Sequence, residues 1–203
     1  DMAEIKRLAH ELGIPATVFP DTSNVLNSPQ TGKFEMFPKG GVTLQDLMRT
    51  GAAMGTIALG ETASGAAARS LDARCKVPCE VLDLPIGLHG TDVFIAHLRR
   101  MAGVPVPDSL NIERGQLLDV MADMHQYFYG KKVGLVGDPD QLIALTEFLV
   151  SIDMWPIHIV TGTPGKKFEK RIQEITRSVP HPVNVRSSGD MFLFHQWIRN
   201  DPV

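Results

Sequence analysis

Between Lys131 and Gly165 the spacing of apolar residues changes period twice. Val133, Leu135 and Val136 form a short apolar run that Gly137 breaks. Leu142, Ile143, Leu145, Phe148, Leu149 and Ile152 then recur at helical spacing, and beyond Pro156 the residues Ile157, Ile159 and Val160 supply a second strand-like run. Asp138 followed by Pro139 reads as an N-cap with proline at the first helical position, so a helix is expected to start there. Two strands joined by a helix of this length are normally parallel, with a right-handed crossover.

The same alternation extends along the rest of the chain. The pattern predicts a helix over 2–12 with Ile5, Leu8 and Leu12 on one side, a strand over Ala16 to Phe19, and a long turn-rich excursion to Gly41. Then come a helix over Thr43 to Thr50 whose Thr43 and Asp46 fit a capping pattern, a strand over Thr56 to Leu59, a helix over Ala63 to Arg74 and a strand over Glu80 to Leu82. A helix over Thr91 to Ala102 precedes the break at Gly103 to Pro107. After it are expected a long helix over Ser109 to Tyr129, a helix over Lys166 to Arg177, a strand over Val183 to Val185 and a helix over Gly189 to Arg199. The expected fold class is α/β, with Rossmann-like doubly wound parallel sheets in two partial domains, 1–107 and 108–203. The chain opens on a helix with no preceding strand and closes where a further strand is due. It therefore reads as part of a longer polypeptide cut inside its domains, with exposed sheet edges and poor folding on its own.

With 203 residues, 43% hydrophobic and 21% charged, the composition is that of an ordinary globular protein. A net charge of −3, with no Lys/Arg stripe interleaved with aromatics, argues against a nucleic-acid partner. No apolar run is long enough to span a membrane, and a cytoplasmic location is expected. Lys166, Lys167, Lys170 and Arg171 read as a solvated helix face. Cys75 and Cys79, spaced C-K-V-P-C, fit neither a C-x-x-C redox pair nor a zinc site, and read as reduced, partly buried structural thiols.

Doubly wound sheets bind ligands at the carboxyl ends of their strands, which directs attention to Gly137-Asp138-Pro139 and Gly162-Thr163-Pro164-Gly165. Neither has the spacing of a phosphate loop. Asp119 and Asp123 lie four apart on the long helix, so their carboxylates share a face about one turn apart and could hold a hard cation. The alternative is a solvated acidic face flanked by Arg114 and His125. The seven histidines are scattered, and no nucleophile motif is present.

One group of segments is specific enough to name a family. Pro85-Ile86-Gly87-Leu88 with Thr91-Asp92 downstream, Glu113-Arg114-Gly115 opening a helix that continues LLDVMADMHQYFYGKK, and Gly137-Asp138-Pro139-Asp140 resemble the β chains of nitrogenase molybdenum-iron proteins, in the nitrogenase component 1 family. The match runs nearly end to end, and FEMFPKGGVT with the Asp/Met helix looks more like the molybdenum type than the vanadium or iron-only types. The resemblance implies parts of two domains of a three-domain subunit, the end of the first and much of the second. It implies an α2β2 tetramer with the nitrogenase α chain and a second β chain, an oxidoreductase that takes electrons from an ATP-hydrolysing iron protein. Those electrons pass through the iron-sulfur P-cluster, and dinitrogen is reduced to ammonia at an iron-molybdenum cofactor held by the α chain.

By the same resemblance the cluster-ligating cysteines lie upstream of this segment, and Cys75 and Cys79 do not correspond to them, so the segment alone is not expected to be active. Asp119 and Asp123 match two carboxylates of a hard-cation site between the β chains, completed by the other β chain. Two alternatives stay open: the paralogous scaffold on which the cofactor is assembled, and a non-catalytic metal-chelate or substrate-binding protein. The ERG and GDPD spacing favours the catalytic chain.

Overall fold

The structure is a computed structural model that describes residues 2–23, 32, 33, 36 and 40–203; most of the turn-rich excursion before Gly41 lies outside the described residues. The helices are α1 (Met2–Glu11), α2 (Leu44–Arg49), α3 (Ala66–Cys75), α4 (Gly87–Ala102), α5 (Asp108–Phe128), α6 (Pro139–Ser151), α7 (Lys166–Ile175) and α8 (Met191–Asn200). The strands are β1 (Thr56–Leu59), β2 (Cys79–Leu82), β3 (Lys132–Val136), β4 (Trp155–Val160) and β5 (Asn184–Arg186). A single π-helical turn, Glu61–Gly65, leads into α3.

Local chemistry explains most of the boundaries. Thr43 and Asp46 form a complete capping box at α2. At the end of α4, Gly103 takes a φ of +70° and its N–H donates to the Arg99 carbonyl, a left-handed stop that glycine adopts without strain. Asp138 holds the N-cap position of α6 with Pro139 behind it, but its carboxylate makes no capping hydrogen bond. The strand expected over Ala16 to Phe19 does not form. That segment is coil with an exposed Phe19, and no described strand lies beside it to supply a ladder.

Among the described residues two parallel sheets result, one pairing β1 with β2 and the other ordered β3-β4-β5. Pro156 lies inside β4, opposite Val133, and the register shifts at the next step of the ladder, between Val133 and Gly134. The larger sheet is covered on both faces. Leu135 and Ile159 pack with Leu142 of α6 and with Phe168 and Ile172 of α7. Gly134, one residue along and so on the opposite face, lies against Phe194 and Ile198 of α8. A separate core joins Leu8, Ala9 and Leu12 of α1 to Phe94 and Leu98 of α4 and Leu110 of α5, with Ile57, Leu59 and Leu82 packed against it.

The two halves meet where α6 packs on α4 and on the π turn. Gly87, at φ +74°, brings the start of α4 against the ring of Phe148. Arg171 of α7 reaches Asp83 at 3.4 Å across the same seam.

Candidate functional site

The carboxyl ends of the strands, where a doubly wound sheet usually takes a ligand, are engaged with the protein itself. Asp140, in the first turn of α6, accepts the backbone N–H of Thr62 at Oδ1 (3.0 Å) and that of Ala63 at Oδ2 (2.8 Å). In the loop after β4 the fully buried Thr161 hydroxyl accepts from the Thr163 N–H at 3.3 Å, and the Gly189 N–H donates to the Thr161 carbonyl at 3.0 Å. Lys166, Lys167, Lys170 and Arg171 beside it are exposed, as a solvated helix face should be.

Helix α5 differs from every other long element. It runs for 21 residues with Leu110 as its one buried side chain. Its amino-terminal third is tied down: Arg7 pairs with both oxygens of Glu113 at 3.0 and 2.8 Å, the Arg114 Nε lies 2.9 Å from Asp92, and Ser109 donates to Glu11 at 3.1 Å. Near its far end His125 lies 2.9 Å from Asp153. Along its length the helix exposes apolar residues, with Ile112 60% and Val120 56% accessible and Leu117, Leu118, Met124 and Tyr127 also exposed. A groove of about 450 Å³, floored by Leu8, Ile95, Val106 and Leu110, runs along its amino-terminal part. Most helical stability in proteins comes from packing of an apolar face, and within this chain α5 buries Leu110 alone.

Asp119 and Asp123 stand on this exposed stretch, both accessible and with no ion pair among the described residues. The flanking basic groups do not reach them, because Arg114 is committed to Asp92 and His125 to Asp153. No group of three or more His, Cys, Asp or Glu side chains among the described residues could hold a metal ion. Asp119 and Asp123 are thus two accessible carboxylates about one turn apart on α5.

The cysteines differ from the sequence expectation in one respect. Cys79 is partly buried at the start of β2, but Cys75, in the last turn of α3, is exposed. Its sulfur lies over Gly51, and the helix ends one residue later with Lys76 in the left-handed region. Two thiols so placed do not make the multi-thiolate set that an iron-sulfur cluster needs. Sequence reasoning also passed over His158, which is fully buried. Its Nε2 donates to the Asp201 carbonyl at 2.8 Å and its Nδ1 accepts from the Asn184 amide at 3.1 Å, so it is a satisfied core histidine that fastens the end of α8. No helix among the described residues is long and apolar enough to cross a membrane.

Comparison with known proteins adds what the geometry alone does not. The family model of nitrogenase component 1 type oxidoreductases matches residues 1–203. The β chain of the nitrogenase molybdenum-iron protein of Clostridium pasteurianum is 47% identical over 204 aligned residues, covering 100% of this chain and 44% of the relative. The β chain of the nitrogenase vanadium-iron protein of Trichormus variabilis is 34% identical, covering 89% of this chain and 40% of the relative. A solved structure described as nitrogenase Cp1 at pH 6.5 superposes with a TM-score of 0.96 at 46% identity, over 100% of this chain and 44% of that one. The chain thus spans less than half the length of these relatives.

Proposed function

Because this chain belongs to the nitrogenase component 1 type oxidoreductases, we propose that it is part of the β subunit of a molybdenum-iron protein, within an enzyme that reduces dinitrogen to ammonia with electrons from an ATP-hydrolysing iron protein. The observation that carries this reading is the 47% identity to a molybdenum-type β chain along the whole of the chain. The partners are an α chain and a second β chain in an α2β2 assembly located in the cytoplasm. The iron-sulfur P-cluster and the iron-molybdenum cofactor belong to that assembly. The residues of this segment do not fit a cluster, having two thiols of which one is exposed, so its part is that of scaffold and interface, and we assign it parts of two domains divided near residue 107.

We place the interface on α5. Its exposed apolar stretch gives the area for a neighbouring subunit to cover, and Asp119 and Asp123 give two oxygen donors toward a hard cation. Burying two like charges beside that apolar surface is unfavourable without a cation or a basic group from the neighbour. Complementation tests the activity: the complete gene carrying this segment should restore ammonia formation in a nitrogen-fixing strain lacking its molybdenum-type β chain. Restoration only with the vanadium system, or not at all, would overturn the assignment. For the cation, intact tetramer carrying Asp119→Asn and Asp123→Asn should hold less calcium or iron outside its clusters than the parent. Equal content would sink that part.

A further inference from the structure

We propose that Asp140 is an internal anion that clamps the two α/β halves together by sitting between two helix amino ends. The first turn of α6 and the π turn before α3 approach each other across the seam, and each carries the partial positive charge of unpaired backbone N–H groups. Facing each other without an anion, two such ends repel. The Asp140 carboxylate belongs to one of them and accepts two N–H groups of the other, from Thr62 and Ala63, and so offsets both.

The surroundings are shaped for this contact. Glu61, the acidic residue closest in sequence to those amides, is held by Arg69 at 2.5 Å, which leaves the amides to Asp140. Asp138, which occupies the capping position of α6, makes no capping bond, so Asp140 is the carboxylate that serves the junction. Gly60 stands at φ +87°, and a Cβ there would come within 2.5 Å of Asp140 Oδ2, so only glycine lets the carboxylate approach this closely. Both partners follow the carboxyl ends of strands, Thr62 and Ala63 after β1 and Asp140 after β3.

The test is site-resolved hydrogen exchange on the complete protein in its native assembly, comparing parent, Asp140→Asn and Asp140→Ala, with and without sodium formate as a small replacement carboxylate. The expected result is exchange at the Thr62 and Ala63 amides roughly tenfold faster or more in Asp140→Ala, with the amides of β4 unchanged. Asp140→Asn, which keeps one acceptor oxygen, should fall between, and formate should restore protection in the Ala variant and leave the parent unaffected. Unchanged exchange at Thr62 and Ala63 in Asp140→Ala would overturn the proposal. So would protection lost evenly across both sheets in both variants without recovery in formate, because that describes a general stability residue and not an anion site.

Discussion

Asp21 has 5% of its side chain exposed and yet remains a carboxylate, because the Ser23 hydroxyl donates to it at 2.5 Å and the Lys6 ammonium at 2.9 Å. These partners pull its pKa from 3.8 down to about 2. A carboxyl whose folded pKa lies below its unfolded one contributes stability above the unfolded value and loses it as pH falls through the folded one. The Asp21 contribution should thus be complete above about pH 4 and vanish between about pH 4 and pH 2. Asp21→Asn is expected to flatten that part of the profile, read as melting temperature against pH; parallel acid profiles for variant and parent would show that the carboxylate carries none of it. A second residue-scale case is Gly87. Its φ of +74° and the Phe148 ring against its Cα leave no place for a methyl group. Gly87→Ala should destabilise by about 2–4 kcal/mol, combining backbone strain with overpacking. Adding Phe148→Leu should recover part of that loss, and strict additivity of the two in a double-mutant cycle would remove the steric explanation.

At the scale of elements, α5 shows both what periodicity reveals and where it stops. Its extent was legible, expected from Ser109 to Tyr129 and found over Asp108–Phe128, because Pro107 and Gly130 bracket it and helix formers fill it. The β3-α6-β4 unit was legible for similar reasons, with Gly137, Pro139 and Pro156 marking its changes of period. Periodicity could not say that α5 buries Leu110 alone, since an apolar face reads the same whether its own chain or a neighbour covers it. The failed strand at Ala16 to Phe19 has the converse cause: local β-propensity is no use without a partner strand. Asp140 was hidden because its partners are 77 and 78 residues away, and Asp138 occupied the position that local capping rules reward. The exposed stretch of α5 carries its own prediction. Val120→Lys should weaken subunit association at least tenfold, on the order of 1.4 kcal/mol or more, by placing a charge in a surface that association must bury. Helix content should not change, because Val120 is 56% exposed within this chain. Sedimentation with circular dichroism checks both halves, and unaltered association would move the interface elsewhere.

For the molecule as a whole, the two sheets do not carry equal weight. β3-β4-β5 has two parallel ladders and helices on both faces, and Ile157, Ile159 and Ile172 are wholly buried. β1-β2 has a single four-residue ladder, and its core draws chiefly on α1, α4 and Leu110. A two-stranded sheet depends on the helices packed over it, while three strands with covered faces approach independent stability. Opening of the smaller sheet should therefore require less than global unfolding. Native-state hydrogen exchange is expected to show the amides of Ile159 and Val160 opening only with the whole chain, and those of Ile57 and Val81 opening at lower cost and with a smaller dependence on denaturant. The seam sets how far the two can separate, because α6 touches both halves through Phe148 and Asp140. If Ile57 and Val81 were as protected as Ile159, the seam would have to transmit cooperativity fully from one core to the other, and the division into a firmer and a looser half would fail.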